Sequence, residues 1–178
     1  MSKILEHVVA KRLDKNSRNH PNSEVMQSAY KEGHSTETAL LKIQNDILHA
    51  IDNKSCVILV LLDLSAAFDT VDHSILLNRL YHRFGVTGKA HDWLRSYLDG
   101  QYQAVLINGV KSKEKLLDCN VPQGSVLGPK LFIDYESPIG DIIRMHNLEA
   151  HFYADDTQLY LHFNPDNYSD TIEKLNVA

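Results

Sequence analysis

The sequence predicts an α+β domain, a small antiparallel sheet backed by helices, on three observations. Apolar residues recur every three or four positions in several stretches, the spacing of amphipathic helices. Two strand-like stretches each stop at acid: Val57-Ile58-Leu59-Val60-Leu61-Leu62 at Asp63, and His151-Phe152-Tyr153-Ala154 at Asp155-Asp156. An Asn-Gly pair between apolar residues, in Val105-Leu106-Ile107-Asn108-Gly109-Val110, is the strongest short hairpin signal in the chain. With 178 residues and 43% hydrophobic content, there is enough chain for one domain with a real core.

The elements follow in order. Ile4, Leu5, Val8, Val9 and Leu13 have helical spacing, and Asp14 to Ser23 is polar and turn-rich, a loop. Ser35 or Thr36 caps a second helix, with Glu37 in its favourable first turn. Leu40, Ile43, Ile47 and Ile51 form that helix's buried stripe, and Asp52-Asn53-Lys54 ends it. The strand Cys56 to Leu62 is apolar on both faces, so it is either a central strand with layers on both sides or part of a sheet packed tightly on helices. A third helix runs from about Ser74 to Phe84 and closes at Gly85. A fourth carries Trp93, Leu94, Tyr97 and Leu98 as core and closes at Gly100. Lys111, Lys113 and Lys115 alternate after the hairpin turn, as a phosphate-tracking edge or a solvated, aggregation-resistant one. Asn120 to Ser125 is a loop. Pro129 suits a first helical turn, and Pro138 kinks or ends that helix. Phe152 to Phe163 is two strands joined at Asp155-Asp156, and the second has a half-buried antiparallel pattern. Ile172 to Asn176 opens a helix without closing it, so the sequence reads as cut off.

Composition narrows the function classes. Formal net charge is −5, from 18 Lys and Arg against 23 Asp and Glu, which counts against strong unaided nucleic-acid binding. Cys56 and Cys119 lack metal-ligand spacing, and the ten His show no zinc pattern. Two free thiols suit a reducing, intracellular compartment. The N-terminus lacks a signal peptide, and no apolar run spans a bilayer, so a soluble protein is expected. The acids are more pointed. Three carboxylates at neighbouring strand tips are too repulsive to stand ionised and unpaired; such a cluster protonates or holds divalent cations.

Four segments, in order, then resemble one family. They are Gln27-Ser28-Ala29-Tyr30-Lys31-Glu32-Gly33-His34-Ser35-Thr36-Glu37-Thr38-Ala39-Leu40, Leu61 to His73 around Asp63, Val121-Pro122-Gln123-Gly124-Ser125-Val126-Leu127-Gly128-Pro129, and Phe152-Tyr153-Ala154-Asp155-Asp156. Together they resemble the reverse transcriptase domain of non-LTR (LINE-type) retrotransposons. The resemblance covers nearly the whole chain and implies a right-hand polymerase palm with part of the fingers. Residues 1–54 would be a fingers-like helical segment, and 55–178 a palm with fingers insertions, C-terminally truncated, with the thumb absent. The implied activity is RNA-directed DNA polymerisation with RNA template, DNA primer, deoxynucleoside triphosphates and two Mg²⁺ ions, or Mn²⁺ in their place. Thumb and endonuclease regions would belong to a longer parent protein.

By this resemblance Asp63 and Asp155 are the bridging metal ligands. Asp156 is an adjacent, secondary carboxylate, because neighbours on a strand face opposite ways. The Leu64 carbonyl adds an oxygen ligand. Phe68 lies under the sugar and blocks a 2′-hydroxyl, Gln123 and Gly124 contact nucleotide and template, and Lys31 contacts phosphate. Three positions depart from the family pattern. Asn120 stands where Gly is usual, and Asn also tolerates a left-handed backbone. Asp134 and Glu136 stand where apolar or neutral residues are usual, and a carboxylate on a buried face is costly unless paired. The alternative reading is a non-catalytic remnant of a decayed retroelement that at most binds nucleic acid weakly. A nucleotidyl cyclase, another palm-type metal enzyme, is disfavoured by the Pro122-Gln123-Gly124 loop.

Overall fold

The computed structural model describes residues 2–17, 20–122 and 124–177. The elements are α1 (Ser2–Ser17), α2 (Thr36–Asp52), β1 (Cys56–Leu62), α3 (His73–His82), α4 (Gly88–Leu98), β2 (Tyr102–Gln103), β3 (Leu106–Ile107), β4 (Val110–Lys111), β5 (Lys115–Leu116), α5 (Gly128–Glu136), α6 (Pro138–Met145), β6 (Glu149–Tyr153), β7 (Asp156–Phe163) and α7 (Tyr168–Val177). This is the expected mixture of helices and a small antiparallel sheet. The chain packs as two compact units that interleave in sequence. One is Met1–Ser23 with Ala66–Tyr135, and the other is Glu24–Ser65 with Glu136–Ala178.

The first unit is helical around one core. Leu76 and Leu80 of α3, Leu94 and Leu98 of α4, and Leu131 and Phe132 of α5 are fully or almost fully buried, and Leu13 of α1 joins them. Asp72 caps α3, its carboxylate accepting from the Ile75 N–H at 2.9 Å. α1 runs past Asp14 into the stretch expected to be loop. Its last turn is held by the Ser17 hydroxyl donating to the Leu13 carbonyl at 2.6 Å and by the Asn16 amide donating to the Phe84 carbonyl at 2.9 Å. Arg18 and Asn19, also within that expected loop, lie outside the described residues.

Residues 102–116 form an exposed two-stranded ribbon, β2 with β5 and β3 with β4. Asn108 and Gly109 both take positive φ, 50° and 80°, the turn that matches strand twist. Gln103 pairs with Lys115 and Leu106 with Lys111, three steps on one strand against four on the other. The extra residue is a bulge, so the simple alternation of Lys111, Lys113 and Lys115 does not carry through as one charged face.

The second unit holds the sheet, ordered β1-β7-β6 and antiparallel throughout. β1 is therefore an edge strand, not a central one. Leu59, Leu61 and Leu62 are exposed, Leu61 at 70%. The helix side of the other reading does hold: α2 packs on β1 and β6. Of the stripe expected on α2, Ile43 is buried and Ile47 half-buried, while Leu40 and Ile51 are exposed. One narrow sheet gives the helix only a narrow seat. Ser35 caps α2 in a full capping box with Thr38. The Tyr160 hydroxyl of β7 donates to Asp46 of α2 at 2.5 Å and ties helix to sheet. Burial raises Asp46, but the hydrogen bonds from Lys42 and Tyr160 outweigh it and hold the carboxyl below its ordinary range. Pro138 ends α5 and sits at the start of α6. Among the described residues no helix is long and apolar enough to cross a membrane.

Candidate active site

The acidic end of the sheet is built by strand register. β1 pairs with β7 down to Leu62 against Thr157, so Asp63 follows the last rung and Asp156 precedes Thr157 on the partner strand. β6 pairs with β7 up to Tyr153 against Asp156, leaving Ala154 and Asp155 as the two-residue turn. The strands are thus joined one residue earlier than expected, and Asp156 already belongs to β7. Asp63, Asp155 and Asp156 share one end of one sheet; Asp63 and Asp156 are exposed and Asp155 is half-buried. Leu64, the next residue after Asp63, is also exposed. Among the described residues no group of three His, Cys, Asp or Glu side chains is arranged to hold a metal ion.

Around this end lies a set of residues that periodicity does not single out. Ala154 takes φ +55°, and Gln27, buried at 4% exposure, bonds to it twice. The Tyr30 hydroxyl is raised in pKa by burial, then by the charges of Asp155 and Tyr153. Glu136 is 5% exposed and neither carboxylate oxygen has a hydrogen-bond partner of good geometry. Burial, and then the charge of Asp155, push its carboxyl up to about 7, with the Thr157 hydroxyl pulling the other way. Glu24 is buried too, but Arg144 pairs with it at 2.9 Å and the Met26 N–H donates to it at 2.9 Å. Gly140 makes room for that pair: a Cβ there would come 1.7 Å from a Glu24 oxygen.

The remaining expected residues divide between the units. Lys31 belongs to the second; it is half-buried, and its ammonium donates to the Val25 carbonyl at 3.4 Å. Phe68 belongs to the first; it is half-buried and stacks on Phe132 with ring centroids 4.9 Å apart. Gly124, in the same unit, takes φ +75° and has open space where a side chain would start. Gln123 lies outside the described residues. Asn120 does adopt a positive φ, 119°, its N–H donating to the Val71 carbonyl at 2.9 Å. Asp134 is buried and paired with Lys130 at 2.6 Å, so one of the two unusual acids is compensated.

The family model described as reverse transcriptase (RNA-dependent DNA polymerase) matches residues 1–177. The chain belongs to the reverse transcriptase family. This reverse transcriptase domain is 33% identical over 137 residues to the RNA-directed DNA polymerase from mobile element jockey of Drosophila melanogaster, covering 74% of the chain and 15% of that protein. It is 31% identical over 158 residues to the probable RNA-directed DNA polymerase from transposon X-element of the same fly, covering 88% and 17%. With these relatives it is a reverse transcriptase domain of the LINE type, and it spans less than a fifth of their length. Among solved structures, the partial Cas6-RT-Cas1--Cas2 complex contains a similar chain at 24% identity, covering 74% of this domain and 21% of that chain, with a TM-score of 0.37.

Proposed function

We propose that the acidic end of the sheet is the metal-binding end of a polymerase palm, and that the chain is the core of an RNA-directed DNA polymerase acting on RNA template, DNA primer and deoxynucleoside triphosphates. The single observation that carries this is the register that sets Asp63 beside the Ala154–Asp155 turn. The donor set fits Mg²⁺ in kind: hard carboxylate oxygens from Asp63 and Asp155, with the Leu64 carbonyl adjacent. Mg²⁺ commonly uses one or two carboxylates plus substrate phosphates and water, so a closed protein cage of three acids is not required. When bound, the metal would make the primer 3′-hydroxyl more acidic and stabilise the leaving pyrophosphate. The protein's share is to hold Asp63 just past the end of β1 and Asp155 in the tight turn between β6 and β7, with Asp156 secondary. Phe68 would exclude a 2′-hydroxyl sterically, Gln123 and Gly124 would meet nucleotide and template, and Lys31 would meet phosphate. Residues 1–54 serve as fingers and 55–178 as palm in this reading.

The test is primer extension on an RNA template by a chimera joining this chain to the downstream region of a related element. Mg²⁺-dependent extension is expected, with Asp155→Ala abolishing it while duplex binding stays roughly in place. Extension that survives Asp155→Ala, or its absence from a folded chimera that binds primer–template, would sink the reading. The absence would favour the non-catalytic alternative.

A further inference from the structure

We propose that Gln27 is a positioning residue for Asp155, clamping the left-handed Ala154 so that the next carboxylate is aimed at the site. This rests on the reading that Asp155 holds metal. The clamp uses both polar atoms of the Gln27 amide. Its Oε1 accepts from the Ala154 N–H at 3.1 Å and the Ala29 N–H at 2.9 Å, and its Nε2 donates to the Ala154 carbonyl at 3.2 Å.

The clamp has a rigid base. Phe152 of β6 exchanges hydrogen bonds with the Met26 carbonyl at 3.0 Å and the Ser28 N–H at 2.9 Å, so Gln27 is laid beside β6 in a parallel bridge. The buried Ser28 hydroxyl and His151 Nε2, 2.9 Å apart, pin the same segment.

The clamp also has something to restrain. In the two-residue turn only Ala154 takes positive φ, a position that favours glycine. An alanine there costs on the order of 1–2 kcal/mol against its preferred conformations. The Ala154 carbonyl and the Asp155 N–H share one rigid peptide plane. Pinning that carbonyl fixes the plane from which the Asp155 side chain departs. Loss of the clamp would let Ala154 relax to negative φ and turn the plane, with Asp155 carried along.

The test uses the full chain and Mn²⁺ binding read by electron paramagnetic resonance, with circular dichroism as the folding check. Asp155→Asn should weaken Mn²⁺ binding. Gln27→Ala should weaken it about 10–100-fold, the usual effect of removing a partner that orients a metal ligand. Adding Ala154→Gly to Gln27→Ala should recover part of the loss, because glycine takes positive φ without the clamp. Gln27→Met keeps the buried volume without the hydrogen bonds, and serves if the alanine variant does not fold. Weakening by Asp155→Asn with no effect of either folded Gln27 variant overturns the clamp and leaves the metal site standing. Weakening by Gln27→Ala that Ala154→Gly does not relieve makes Gln27 a packing residue only. No effect of Asp155→Asn removes the metal reading and the clamp with it.

Discussion

Glu136 is the residue whose environment most constrains behaviour. Its carboxyl titrates at about 7 against an ordinary 4.5, first because it is buried and second because Asp155 is near. Between those values the native state holds a proton that the unfolded chain has lost. Stability from the neutral form is therefore complete below about pH 4.5 and is lost as pH rises through 7. Glu136→Gln, with chelator present, should stabilise the protein at pH 8 by about 1–3 kcal/mol, because the amide has no buried acid to ionise, and change little at pH 5. Urea midpoints that shift equally at both pH values would contradict this. Phe68 admits two roles, since a sugar gate and a stacking partner for Phe132 both need the ring. In the chimera, Phe68→Ala should raise ribonucleotide incorporation relative to deoxyribonucleotide; an unchanged ratio leaves only packing. Residues of this kind were partly legible. Asp134 and Glu136 stood out as acids at apolar positions, but no pattern in the chain says that Lys130 pairs with one while the other is left with only the Thr157 hydroxyl to lower it. Gln27 was visible only as the first residue of a family-like segment; its clamp on Ala154 was not, because a polar side chain bonding to a turn more than a hundred residues away leaves no periodicity.

At the level of elements, local chemistry was legible and long-range placement was not. A cap at Ser35 or Thr36 was readable because a hydroxyl residue, a helical stripe and Glu37 are all within a few residues, and the structure places it at Ser35. The structure adds the reciprocal bond, the Ser35 N–H donating to the Thr38 hydroxyl at 2.8 Å. Ser35→Ala should cost about 1 kcal/mol, measured as a shift in the urea midpoint with unchanged slope; no shift would mean that α2 is held by packing alone. Asn108-Gly109 was readable for the same reason, since turn type depends on two residues. β1 was not. A run of Val, Ile and Leu states that a strand is apolar, not how many neighbours it has. With β7 on one side and α2 on one face, Leu59, Leu61 and Leu62 remain exposed. The bulge in the ribbon was equally invisible, because it is a relation between two strands.

For the whole molecule, charge decides the strength of nucleic-acid binding. With 18 basic against 23 acidic side chains, the chain offers little surplus positive charge to phosphate. The chain alone should bind an RNA–DNA duplex no more tightly than ~10⁻⁴–10⁻⁶ M near physiological salt. Fluorescence anisotropy giving nanomolar affinity would contradict this. The interleaving of the two units was not legible at all, because hydrophobic pattern does not report which distant segments meet. It has a consequence in time. Among the described residues β1 has its ladder with β7, and Cys56 pairs with Phe163, 107 positions later. At a synthesis rate of roughly 5–20 residues per second, β1 waits about 5–20 s for its partner. Through that interval an apolar strand with an open edge is in the company of a ribosome and whatever chaperones attend it, so the growing chain is most exposed to misassembly before residue 163 is made.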